Sequence, residues 1–118
     1  MIGFTSSQRY WLYKPVTDMR KSFDALSGLV QNEIHRELLS GEVFIFFNRP
    51  RNRMKLLVWD RSGLVIYYKR LEKGNFELPI REIDDCGVEI KWDELVMILE
   101  GIRLESVVRR KRYCLAEQ

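Results

Sequence analysis

Residues 42–71 constrain the fold more tightly than any other part of the chain. Glu42–Phe47 reads EVFIFF, apolar on both faces, and such a run belongs at the centre of a sheet. Asn48–Asn52 contains Pro50 and no large apolar residue, and reads as a hairpin loop. Met54–Asp60 and Leu64–Leu71 follow as strands, joined by Asp60-Arg61-Ser62-Gly63. That tetrapeptide suits a type I turn with Gly63 in the left-handed position, forming a G1 bulge. The resulting register pairs Lys55 with Lys69, Leu57 with Tyr67 and Trp59 with Val65 on one face. Met54, Leu56, Val58, Leu64, Ile66, Tyr68 and Arg70 fall on the other. A slip of one residue exchanges the faces.

The flanking segments add a strand and two helices. Arg9–Lys14 is short and aromatic, a strand stopped by Pro15. Thr17 or Asp18 offers an N-cap for a helix running to about His35, with Met19, Phe23, Leu26, Val30 and Ile34 along one face. Gly28 inside it costs about 1 kcal/mol relative to Ala unless something packs closely there. Phe76–Leu78 is extended, Pro79 breaks the chain, and Val88–Ile90 is a short strand. Trp92–Glu100 is a helix with Trp92, Leu95, Val96 and Leu99 on one face and Gly101 as its C-cap. The expected architecture is α+β: a single small domain, an antiparallel β-meander with two helices packed mainly on one face. It spans residues 1–103, with 104–118 a basic, flexible tail.

Length and composition agree with a soluble globular domain. The chain has 118 residues, 46% hydrophobic and 31% charged, enough to bury a core without metals or disulfides. No apolar run approaches a membrane span, and MIGFTSSQRYW lacks the charged-then-apolar pattern of a signal peptide. A cytoplasmic protein with no membrane contact is expected. Cys86 and Cys114 show no metal-ligand spacing and are expected as free thiols.

Charge is distributed unevenly. Between Arg49 and Lys73 stand eight Lys/Arg against Asp60 and Glu72, in a chain whose net charge is +3. Residues 74–108 are acidic, and Arg109–Arg112 is again basic. Cationic charge interleaved with Trp and Tyr is the composition of a nucleic-acid contact surface. The candidate contact residues are Arg49, Arg51, Arg53, Lys55, Trp59, Arg61, Tyr67, Lys69, Arg70 and Lys73. A competing arrangement buries Leu57 and Trp59 under a helix while the lysines extend outward. In an alternative arrangement the acidic segment folds beside the basic hairpin and neutralises part of its charge.

Catalytic patterns are missing from the sequence. His35 is the single histidine and lies at a helix end on no motif. Asp18, Asp24, Asp60 and Glu72 would have to converge within about 4 Å of metal ions to form a two-metal site, yet they read as a cap, a helix surface residue and two turn residues. No glycine-rich phosphate loop occurs. No enzyme activity, cofactor or metal is expected.

Three strings carry a family resemblance: TDMRKSFDALSGLV (Thr17–Val30), FIFFNRPRNRMKLLVWDRSGLVIYYKRLEKGNFELP (Phe44–Pro79) and LVMILEGI (Leu95–Ile102). Together they resemble the accessory proteins encoded by the second reading frame of IS-sixty-six-type insertion sequences, over about residues 8–103. The resemblance implies a bacterial mobile-element protein that assists DNA transposition while a separate transposase cleaves and transfers strands. It carries over no catalytic residues. Arg20 and Lys21 match the family's D-M-R-K string and join the candidates for DNA contact. Leu78 stands where the family often has Trp, and the tail after Arg103 lies outside the pattern. Two functions remain open at this point: a DNA-binding module for element ends or target DNA, or an adaptor that docks on the transposase or a second copy without touching DNA.

Overall fold

The computed structural model describes residues 4–79 and 85–100. Its strands are β1 (Tyr10–Tyr13), β2 (Val43–Phe47), β3 (Arg53–Asp60), β4 (Gly63–Arg70) and β5 (Gly87–Ile90). The helices are α1 (Phe23–Leu29), which passes into a π-helical turn at Val30–Ile34, and α2 (Trp92–Leu99). A short 3₁₀ turn, Leu38–Ser40, leads into β2. The strands form one sheet in the order β4-β3-β2-β1-β5.

The α+β class holds, and two details of the expected architecture are corrected. First, the sheet is mixed. β1 and β2 run parallel, with Trp11 opposite Phe44, while the other three pairings are antiparallel. A parallel pair needs a long crossover, and the segment containing α1 supplies it. Second, the helices cover opposite faces. Val43, Ile45 and Phe47 point to the side where Leu95, Ile98 and Leu99 of α2 pack. Phe44 and Phe46 point to the side of Leu26, Val30 and Ile34. All five residues of β2 are therefore buried, as a strand covered on both faces must be.

The first helix begins later than its periodicity suggests. Ser22, not Thr17 or Asp18, is the N-cap of α1. Asp18 instead closes a turn: its carboxylate accepts from the Arg20 amide at 2.9 Å and its carbonyl from the Lys21 amide at 3.0 Å. Phe23 is left exposed, and Met19 packs against the α1-side core from this turn. His35 ends the helix in the left-handed region at φ 60°.

The strand register is corrected as well. β3 and β4 pair Lys55 with Tyr68, Leu56 with Tyr67 and Asp60 with Gly63, one residue away from the expected alignment. The loop is only Arg61-Ser62, and Arg61 rather than Gly63 takes the left-handed conformation, at φ 51°. Lys55, Leu57 and Trp59 therefore share the α1 side with Tyr68, Ile66 and Leu64. Tyr67 and Lys69 lie on the α2 side with Met54, Leu56 and Val58. The expected C-cap Gly101, the tail 104–118 with Arg109–Arg112 and Cys114, and the acidic stretch 80–84 lie outside the described residues.

Two glycines separate packing from propensity. At Gly28 an added Cβ would meet only Asn32 Nδ2 at 3.9 Å, an ordinary contact. At Gly87 it would lie 2.5 Å from Ile34 Cγ2, so β5 passes against the π-helical turn too closely for a side chain. Gly28→Ala is expected to stabilise by about 0.5–1 kcal/mol in urea unfolding. Gly87→Ala is expected to destabilise in the same assay, because Ile34 or the strand must shift.

Candidate nucleic-acid interface

One end of the sheet gathers cations from three separate segments. β1 and β2 end there, β3 begins there and β4 ends there, because β2 and β3 are joined by the 48–52 loop and β3 pairs antiparallel with β4. Asn48 organises the loop: its side-chain oxygen accepts from the amides of Asn52 and Arg53, each at 3.1 Å, and its amide nitrogen donates to Asn52 Oδ1 at 2.8 Å. Arg49 and Arg51 are exposed to solvent. Arg51 is in the left-handed region at φ 58°.

The neighbouring segments are tied to this loop through backbone groups. The Thr17 amide donates to the Phe47 carbonyl at 2.8 Å, which brings Arg20 and Lys21 alongside. The Leu71 amide donates to Asn52 at 2.8 Å, the Phe76 amide to Arg51 at 2.6 Å, and the Asn75 side chain to the Pro50 carbonyl. These bonds place Arg70 and Lys73 at the same end, and Arg53 pairs directly with Arg70 across the strands. Two acids enter the cluster, and each is taken up by an arginine: Asp18 by Arg20 at 2.6 Å and Glu72 by Arg70 at 3.0 Å. Among the described residues Arg49, Arg51, Arg53, Lys21 and Lys73 enter no ion pair.

Between the 16–19 segment and Asn48, Arg49 and Arg53 lies an open cleft of about 380 Å³. Thr17 lines it, and its buried hydroxyl has no hydrogen-bond partner among the described residues. A larger cleft, of about 470 Å³, lies at the other end, near Arg9, Glu89, Lys91 and Glu94. Its charge is balanced internally, since Arg9 grips Glu89 through two bonds of 2.6 and 3.0 Å.

The paired lysines have structural positions. Lys55 is 7% exposed, and its ammonium donates to the carbonyls of Met19 at 2.8 Å and Lys21 at 2.7 Å. The same nitrogen sits 4.9 Å from the centre of the Tyr68 ring. Lys69 turns to the opposite face and donates to the Leu99 carbonyl at 2.7 Å, at the C-terminal end of α2, where a cation is favoured. Trp59 is half-buried on the α1 side, and Tyr67 is 38% exposed on the other, edge-on to Phe4. Those four residues do not form a shared exposed face. Arg61 is exposed at the hairpin tip, the length of β3 away from the loop arginines.

Tyr68 is the residue that the sequence reading passed over. It is 48% exposed, and its hydroxyl lies 3.5 Å from Arg53 Nη1. The adjacent tyrosines Tyr67 and Tyr68 give no local clue to which faces Lys55; only the register decides. The candidate carboxylates for metal binding are dispersed, and no group of three or more His, Cys, Asp or Glu side chains converges among the described residues. No helix among them is long and apolar enough to cross a membrane.

Hydrogen bonds from the Arg20 side chain and amide hold the Asp18 carboxyl down to about 2, from 3.8. A depressed carboxylate contributes stability that is complete above the unfolded value and is lost as pH falls through the folded one. Wild type is therefore expected to lose an increment of stability between pH 4 and 2 that Asp18→Asn does not lose, read by urea unfolding at each pH. Lys55→Met leaves two carbonyls without their charged donor and is expected to cost about 2 kcal/mol or more at neutral pH. Lys69→Met, at a half-buried site with one bond, is expected to cost about 1 kcal/mol in the same measurement.

Sequence comparison places these features in a family. A family model described as IS66 Orf2 like protein matches residues 8–109. Two uncharacterised proteins of Sinorhizobium fredii are similar over most of their length. One, y4jC, is 26% identical over 110 residues, covering 93% of this chain and 92% of the relative. The other, y4hO, is 32% identical over 102 residues, covering 86% and 87%. No solved structure matches the chain.

Proposed function

The chain belongs to the IS66 Orf2-like family of insertion-sequence accessory proteins, and we propose that it assists transposition by binding DNA through the basic end of its sheet. It works without chemistry of its own, and strand cleavage and transfer fall to the element's separate transposase. The contact residues are Arg49 and Arg51 of the loop and Arg53 at the start of β3, with Arg70, Lys73, Arg20 and Lys21 around them. Lys55 and Lys69 support this surface from within. Trp59, Tyr67 and Arg61 lie away from it.

One observation carries the reading: residues 20–21, 49–53, 70 and 73 are scattered in sequence, and backbone hydrogen bonds collect them at one end of the sheet. Sequence-independent attraction to phosphates needs such a concentration of cations. Arg51 adds to it. Its left-handed backbone costs a non-glycine residue roughly 1–2 kcal/mol, as it also does at Arg61 of the hairpin tip.

Arg51→Gly separates the two roles. It is expected to raise stability by about 1 kcal/mol in urea unfolding while weakening binding to element-end DNA. Reversal of Arg49 and Arg51 to Glu is expected to weaken binding across all sequences and flatten the slope of log affinity against log salt by about 2. Arg61→Glu is expected to leave that slope nearly unchanged. No detectable binding at low salt would sink the proposal.

A second reading, the adaptor, draws on Val65 and Tyr67, which leave 45% and 38% of their surface exposed on the α2 side of the edge strand β4. Its signature is co-purification with the transposase that survives nuclease treatment and disappears in Tyr67→Ala.

A further inference from the structure

We propose that the cleft beside the 48–53 loop and the adjacent Tyr68 ring together bind single-stranded DNA, one backbone phosphate in the cleft and one base stacked on Tyr68. This rests on the reading of the basic end as a DNA contact surface and goes on to name the form of DNA it takes. Arg49 and Arg53 line the cleft together with Asn48, whose side chain is bonded to Asn52 and to the Arg53 amide. Asp18 lines it too, but its carboxylate is engaged by the Arg20 guanidinium through bonds of 2.6 to 3.1 Å. The positive charge of Arg49 and Arg53 is thus left for an anion. Guanidinium groups suit a phosphate because their planar donors can meet two of its oxygens at once.

Arg53 makes the cleft and the ring one site. It lines the cleft, and its Nη1 lies 3.5 Å from the Tyr68 hydroxyl. A phosphate bound by Arg53 therefore brings its own nucleotide next to an aromatic ring that is 48% exposed. The ring is also held in place. The Lys55 ammonium lies 4.9 Å from its centre and is itself fixed by two carbonyls, so little side-chain freedom remains to be lost on stacking.

Tyr68 decides against a duplex as the preferred form. In a duplex the base faces are stacked on one another, and the exterior offers phosphates that arginines alone would satisfy. An exposed ring set among phosphate-binding cations is of use to an unpaired base.

The test is fluorescence anisotropy of the full-length protein with a labelled oligothymidine and with a mixed-sequence duplex of equal length, at one low salt concentration. Single strands are expected to bind at least about ten-fold more tightly. Tyr68→Ala is expected to weaken single-strand binding at least about five-fold and to leave duplex binding within about two-fold. Tyr68→Phe, which keeps the ring and loses the hydroxyl, is expected to bind single strands like wild type; should the alanine variant fold poorly, the ratio of single-strand to duplex affinity in the wild-type protein decides. Equal affinity for the two forms, or equal losses on both in Tyr68→Ala, overturns the inference while the DNA-contact reading stands. Failure of both probes to bind overturns the two together.

Discussion

The Lys55 ammonium, held against the carbonyls of Met19 and Lys21, is the interaction on which the arrangement of the basic end depends. It joins the start of β3 to the turn that precedes α1, across a separation of more than thirty residues in sequence. A buried ammonium is costly unless its protons are bonded, and here backbone oxygens and the Tyr68 ring do so. The turn so fixed carries Arg20 and Lys21 outward and forms one wall of the cleft. Without that bond the segment 16–22 would be held by the Thr17 amide, its own internal turn and the packing of Met19 against the α1-side core.

Lys69 does the corresponding work on the opposite face by bonding the last carbonyl of α2. The β3–β4 hairpin thus contributes one lysine to each helical layer. This explains a composition that looks like a binding surface but is partly architectural. Lysine has a long apolar stem that can cross a core edge and a head that can satisfy orphan carbonyls at the far side. The basic residues that face solvent are chiefly arginines, on loops whose shape is set by Asn48 and by backbone bonds.

Much of the fold was legible in the sequence, and the failures have physical causes. All five strands fall close to where their patterns put them, because alternation and turn residues are local signals. The register failed because Asp60-Arg61-Ser62-Gly63 admits two loop lengths, and Gly63 drew the reading toward the longer one. Arg61 accepts the left-handed position instead, and the shorter loop lets Leu64 and Ile66 join the α1-side core. Placement of both helices on one face ignored a signal already noted in EVFIFF: a strand apolar on every residue needs cover on both sides. The long connection between β1 and β2 was likewise the mark of a parallel crossover. Candidate contact residues divided along the same line. Loop arginines were readable as solvent-facing from their polar setting, whereas Lys55, Trp59, Tyr67 and Lys69 depended on a register that no local feature determined. Tyr68 was invisible for the same reason.

Backbone amide shifts recorded while an unlabelled oligonucleotide is titrated into the nitrogen-15-labelled protein test the location of the interface most directly. Amides of residues 17–21, 48–49, 51–53 and 68–74 should move together and saturate together, while those of the hairpin tip at 61–63 and of α2 stay in place. Shifts centred on the hairpin tip or on α2, with the 48–53 loop silent, would contradict a DNA contact at the basic end of the sheet.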